Sequence, residues 1–311
     1  MRARGAQLAQ AGVLEVAGVV GEAAPGGLAA RRARGWHDAA MAIVLVAGAN
    51  GRLGGLLVAL LLGRGHVVRG LVHHDADAGA LEEIGATPVV ADLRGDVEWT
   101  AQGCDAAIFA AGARHRAELG AIDAGGAAKL AEAADRFELR RFVLCSAVGA
   151  GAPERRSGAL RDFLAAKHYA ERRLERLDMP WTILRFGRLT DAAGNGRIDT
   201  TLVPGTPATL SRDDAALTVV AALERAHLAR QVVHVIDGER HVADALDAIE
   251  PPPLPQIPLT GLGAAQTDNP PPDPEMLLPD ASPLDADVDY QGDGPLPPEL
   301  IGNDDPAPGI P

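Results

Sequence analysis

The feature that most constrains this chain is an alternation. Between Ala42 and Ile236, short apolar runs rich in β-branched residues are separated by segments with helical spacing. The runs cover residues 42–47, 67–72, 88–91, 106–110, 141–145, 181–185 and 231–236. The helical segments cover 53–62, 81–84, 125–134, 158–177 and 213–227. Parallel strands need a crossover, and a helix supplies it. Strands covered on both faces read as continuous apolar runs, as these do. The pattern predicts an α/β fold: a doubly wound parallel sheet over residues 41–250.

Composition divides the chain in three. From Pro251 to Pro311 there is no Lys or Arg, while eleven of the 42 acids and 17 of the 23 prolines fall there. Such a stretch cannot bury enough apolar surface to offset its ordering entropy, so 251–311 reads as a disordered tail. Its like charges keep a protein soluble or serve as a flexible arm for a protein partner. Residues 1–40 begin with Met1-Arg2-Ala3-Arg4 and a small-residue stretch, but Glu15 interrupts the apolar region an export signal needs. Arg31, Arg32 and Arg34 stand where its cleavage site belongs. This segment reads as a disordered extension or as an upstream start that translation does not use.

Setting the tail's acids apart reduces the formal charge from −13 to −2 over residues 1–250, too near neutral for nucleic acid as the main partner. No run of 18 apolar residues occurs, so no membrane partner is expected. Cys104 and Cys145 match no disulfide or metal spacing, and the histidines form no metal set. A reducing cytoplasm and no metal are the expectations.

The first crossover carries a motif with chemistry. Gly48-Ala49-Asn50-Gly51-Arg52-Leu53-Gly54 joins the first apolar run to the first helix. A glycine loop in that setting brings backbone N–H groups up to a pyrophosphate, and the helix N-terminus adds partial positive charge. Gly48 allows the tight turn, Gly51 the close approach, and Gly54 close packing of the helix. Among 36 glycines the spacing alone says little; its place between strand and helix gives it weight. The loop points to a Rossmann-type sheet holding a dinucleotide.

With Ala91-Asp92-Leu93, Ala110-Ala111-Gly112, Arg141-Phe142-Val143-Leu144-Cys145-Ser146 and the stretch from Trp181 to Thr190, the loop resembles the short-chain dehydrogenase/reductase superfamily. The nearest branch is its atypical, NmrA-like NAD(P)H-binding members. The resemblance covers about residues 42–246, with several motifs in order. It implies that Asp92 and Leu93 flank the adenine and that Ala110, Ala111 and Gly112 line the nicotinamide side. It further implies a small C-terminal substrate lobe built largely from Phe186 to Arg212, after the sixth strand, and an oxidoreductase or an epimerase- or dehydratase-like enzyme, acting on a small molecule that the sequence does not identify.

Cofactor choice turns on the tip of the second strand, His73-His74-Asp75. An acid there suits a ribose hydroxyl, and an arginine suits a 2′-phosphate. The resembling branch commonly carries Arg where His73 stands, which favours NADP, with NAD the alternative. Arg52 offers charge to a phosphate or is simply solvated.

Hydride transfer in this superfamily is usually supported by a tyrosine whose phenol a nearby lysine acidifies. Here the corresponding helix reads Phe163-Leu164-Ala165-Ala166-Lys167, so the phenol is absent. Lys129 and Lys167 are the chain's two lysines among 29 basic residues, and a compact ammonium is not interchangeable with a guanidinium. The resemblance places Lys167 on the nicotinamide ribose; otherwise it is an ordinary lysine on an exposed helix face. Ser146 ends the fifth strand and matches the family serine, with Ala147 where a second serine often stands. Asp123 matches an aspartate of atypical members or caps the following helix. Tyr169 lies roughly 200° around the helix from Lys167 and does not replace the phenol. His115, in the loop Arg114-His115-Arg116, is a candidate acid or base at the mouth of the site. The absence of the phenol also motivates an alternative: a non-catalytic NAD(P)H sensor or assembly factor.

Overall fold

The chain alternates as expected. In the computed structural model, β1 (Ile43–Ala47), α1 (Arg52–Gly63), β2 (Val67–Val72), α2 (Ala78–Glu83), β3 (Thr87–Val90) and β4 (Ala106–Phe109) come first. A π-helical turn, Gly120–Gly126, leads into α3 (Ala127–Arg136), followed by β5 (Arg141–Ala147), α4 (Gly158–Leu174) and β6 (Trp181–Phe186). Then come β7 (Arg188–Thr190), β8 (Arg197–Asp199), β9 (Thr209–Ser211), α5 (Arg212–Leu223), β10 (Gln231–His241) and α6 (Val242–Asp247). The structure describes residues 41–202 and 208–251. The expectations for 1–40, and for the acidic tail beyond Pro251, therefore lie outside the described residues.

The main sheet has the order β3-β2-β1-β4-β5-β6-β10-β8, parallel throughout except for the antiparallel edge strand β8. Successive side chains of a strand point to opposite faces, and the core divides accordingly. Val44 and Val46 of β1, Ile108 of β4 and Val143 of β5 join α1 and α5 on one face. Leu45, Phe109, Phe142 and Leu144 join α3 and α4 on the other. Each face buries one stripe of helix. On α1 that stripe is Leu53, Leu57 and Leu61, four residues apart, packed with Ala216, Val219 and Val220 of α5.

Local chemistry sets the ends. α1 stops at Gly65, whose positive φ of 80° lets its N–H bond Leu62 O while His66 N–H reaches Leu61 O, a Schellman arrangement. α5 starts at Ser211, whose Oγ accepts from the Asp214 N–H at 3.0 Å. Asp213 and Asp214, in the first turn of α5, accept backbone N–H groups of Gly194, Asn195 and Gly196. These carboxylates sit where the helix dipole favours negative charge, and they fasten the lobe after β6 to the core.

Most boundaries shift by a few residues from the sequence reading, as in α4, which ends at Leu174 rather than at residue 177, and three of the shifts have a clear cause. The last strand does not end at Ile236: it continues to His241, pairs with β8, and is followed by α6. This extension is polar because it lies at the sheet edge with Asp237, Glu239, Arg240 and His241 exposed, so an apolar run could not reveal it. The helix expected from residue 125 begins as an α-helix at Ala127, behind the π-helical turn, whose i→i+5 bonds leave no mark in a 3.6-residue pattern. The helix expected to reach residue 227 ends at Leu223, where a short 3-10 turn, Ala226–Leu228, takes over. Among the described residues, no helix is long and apolar enough to cross a membrane.

Candidate cofactor site and active site

Strand order reverses between β1 and β4, because the chain leaves β1 toward β2 on one side and returns to β4 on the other. Ligands of open parallel sheets bind outside the carboxyl ends of the strands at such a switch point. Here the loops after β1 and β4 touch. A Cβ on Gly48 would lie 2.7 Å from the Ala111 Cα, and Gly48 also holds a φ of 79°. One on Gly54 would lie 1.9 Å from the Gly48 carbonyl oxygen. Both glycines are therefore required by backbone contact. Gly51 stands at the N-cap of α1, with no side chain bonding the exposed amides and no acid in the first turn. An anion fits that end.

Two cavities open along this edge and share Ala111 and Gly112. The first, about 290 Å³, is lined by Gly48, Asn50, His73, Asp92, Leu93 and Arg94, among others. The second, about 560 Å³, includes Leu53, Ala110, Asp123, Ser146, Phe163 and Lys167. The structure thus brings most of the sequence-selected residues into two adjoining groups, one in each cavity. Gly51, Arg52 and Gly54 line neither cavity. Arg52 donates to Asp191 at 2.9 Å, and Asp191 also accepts from Arg212 at 2.6 Å. Asn50 donates to Asp77 at 3.0 Å.

At the rim of the first cavity Arg94, which the sequence reading did not include, joins His73 and Asp92, which it did. Arg94 Nε lies 3.0 Å from both Asp92 oxygens, and its Nη2 lies 3.1 Å from His73 Nε2. The hydrogen bond from Arg94 holds the Asp92 carboxyl well below its usual range, at about 2. Arg94 follows the Ala91-Asp92-Leu93 motif directly, so adjacency was the available signal. Arg114 and His115 face this cavity as well, while Arg116 pairs with Asp162.

The second cavity is built around α4 and the π-helical turn. Asp123 is fully buried; one oxygen accepts the Ala113 N–H at 2.7 Å and the other lies 2.8 Å from Lys167 Nζ. The Lys167 contact is an ion pair whose angles fall outside those of a hydrogen bond. Asp123 therefore caps no helix. Lys167 is itself buried, with its ammonium 5.6 Å from the centre of the Phe163 ring.

One turn further along α4, Glu171 is fully buried and accepts from Ser146 Oγ at 2.5 Å and from Arg185 at 2.6 and 3.0 Å. Ser146 donates its hydroxyl hydrogen bond to a carboxylate inside the protein. Glu171 and Arg185 escaped the sequence reading, although Leu164, Lys167, Glu171 and Leu174 share one helical stripe, which marks both charged residues as inward-facing. Cys145 lines the cavity, but burial pushes its thiol up to about 12, with Lys167 acting weakly against that rise. Burial, and then the charge of Arg52, lower the pKa of Arg212. Tyr169 packs against the cluster of Ala113, Leu119, Ala124 and Ala166 and is not among the residues that line the cavity.

Residues 48–226 match a family model described as NAD(P)H-binding. The chain is 35% identical over 212 residues to a Bacillus subtilis (strain 168) protein named uncharacterized sugar epimerase YhfK, covering 65% of this chain and 98% of that one. A solved structure from Bacillus halodurans, provisionally named NAD-dependent epimerase/dehydratase, matches with a TM-score of 0.64 at 28% identity. That match covers 67% of this chain and 100% of the other. The oxidoreductase ylbE from Lactococcus lactis matches with a TM-score of 0.59 at 25% identity, over 67% of this chain and 96% of the other.

Proposed function

The chain belongs to the NAD(P)H-binding, atypical short-chain dehydrogenase/reductase family, and from that premise we propose that it is an NADPH-dependent reductase of a small molecule held in the second cavity. The observation that carries this reading is the meeting of the two cavities at Ala111 and Gly112. A dinucleotide bound across that junction would be held by His73, Asp92 and Leu93 at its adenosine half, by the amides at the N-terminus of α1 at its pyrophosphate, and by Ala110–Gly112 and Lys167 at its nicotinamide half. The bound reduced cofactor supplies a hydride equivalent.

The chain's own groups narrow the chemistry. Epimerisation or dehydration needs an acid and a base at the reacting carbon. Phe163 cannot transfer a proton, the Cys145 thiol is held far above neutral, and the Ser146 proton is donated to Glu171. Lys167, positioned by Asp123, remains to orient a ribose or substrate oxygen. A reduction completed by a proton from water asks least of this wall, so reductase chemistry is favoured over epimerase chemistry. NADPH is favoured over NADH because the Arg94 guanidinium, held by Asp92 beside His73 at the rim of the first cavity, offers planar donors to a 2′-phosphate.

The test is turnover: the full chain with NADPH and a panel of carbonyl, quinone and flavin-type acceptors, followed by loss of NADPH absorbance. Oxidation that depends on acceptor and on Lys167 supports the reading; tight cofactor binding with no turnover across the panel rejects it. Phe163 favours a second reading, a non-catalytic NADPH-responsive factor. Activity that appears only in Phe163→Tyr supports that one.

A further inference from the structure

The second cavity has an unusual inventory of polar groups. Among the described residues its lining includes no Asn, Gln, Thr, Tyr, His or Glu, and its one serine hydroxyl is engaged by Glu171. A sugar or other polyol needs matched donors and acceptors for each hydroxyl, and this wall does not offer them. What it offers is apolar surface, from Leu53, Val148, Leu160, Phe163 and Phe186, together with three arginines.

Two of those arginines are not balanced by acids among the described residues. Arg156 and Arg188 are exposed, and among the described residues neither guanidinium has a carboxylate partner. Arg212 is buried, and its partner Asp191 is shared with Arg52 and faces solvent. The lining's one carboxylate, Asp123, is matched by Lys167. The cavity thus carries excess positive charge beside apolar walls, and with Arg156 and Arg188 exposed its attraction to an anion is sensitive to salt.

We propose that the substrate is an amphiphilic organic anion, a carboxylate or phosphate on an apolar body, whose charged group is received by Arg156 and Arg188 while its body lies against Leu160 and Phe163. The planar guanidinium fork suits either anion. This rests on the reductase reading for the word substrate, but the anion site itself is defined by the cavity. It also separates this chain from a sugar-handling enzyme on the same fold.

The experiment uses the full chain, first alone and then saturated with NADPH, titrated calorimetrically with 4-phenylbutyrate, 4-phenylbutyl phosphate and the neutral 4-phenylbutanamide. One charge-assisted contact corresponds to about a tenfold preference for an anionic probe over the amide. That preference is expected to weaken with added salt and to vanish in the Arg156→Gln/Arg188→Gln double variant. Whichever anion binds more tightly identifies the headgroup. Equal binding of all three probes, binding of none, or a preference that survives the double variant overturns the proposal. The NADPH titration without probe reports on the cofactor reading separately. Selective anion binding by a chain that does not take NADPH leaves the anion site standing and removes the reductase.

Discussion

Lys167 and Asp123 lie 44 positions apart in sequence and form a buried ion pair of 2.8 Å in the wall of the larger cavity. Asp123 also holds the Ala113 amide, so one carboxylate ties α4, the π-helical turn and the loop after β4 together. Removing one partner of a buried pair leaves the other charge uncompensated, at a cost of about 3–5 kcal/mol. Asp123→Asn is therefore expected to lower stability by about that much in urea unfolding. Adding Lys167→Met to it should recover part of the loss. A change of a few tenths of a kcal/mol would show that the pair is not desolvated.

Gly54 has a similarly sharp consequence. An alanine methyl there meets the Gly48 carbonyl, which is backbone and has little freedom to move. Overpacking of this kind costs about 1–3 kcal/mol. Gly54→Ala is expected to lower the unfolding midpoint and weaken NADPH binding together, whereas Gly65→Ala, with no heavy atom within 4 Å of its Cβ, should leave NADPH binding unchanged despite some backbone strain.

Much of this arrangement was legible in the sequence. The strands were readable because sheets covered on both faces need continuous apolar runs, and the glycine loop because its backbone contacts tolerate no side chain. The polar end of β10 and helix α6 were not, since the part of β10 that runs past β6 to pair with the edge strand β8 faces solvent and loses the apolar signature. Lys167 was noticed for its rarity, but its pairing with Asp123 depends on a π-helical turn that no spacing announces. Glu171 was legible in principle from its place on the buried stripe of α4, while Arg185 and Ser146 became its partners through strand register alone.

Arg94 tests the cofactor preference. If it receives a 2′-phosphate, Arg94→Gln should reduce the affinity ratio of NADPH to NADH by roughly tenfold, the scale of one charge-assisted bond, with little effect on NADH itself. Equal losses for both cofactors would assign Arg94 to fastening the loop through Asp92 rather than to reading phosphate.

His234 offers a pH test. It lies opposite Arg185 in the strand register, and burial, followed by the Arg185 charge, lowers its pKa from the ordinary 6.5, with Glu171 opposing. A base whose folded pKa is depressed binds fewer protons folded than unfolded, so its contribution is present above 6.5 and lost as pH falls below that value. Thermal midpoints should fall between pH 7 and the lowered value, and His234→Gln should flatten that slope. An unchanged slope would place the pH dependence elsewhere.

The central claim is that a nicotinamide dinucleotide crosses the junction at Ala111 and Gly112, and calorimetric titration of the full chain with NADPH and NADH tests it most directly. The account predicts one site per chain, tighter for NADPH, and abolished in a folded Gly51→Asp variant whose carboxylate stands where the pyrophosphate approaches. Binding of neither cofactor, or undiminished binding by that variant, would contradict it.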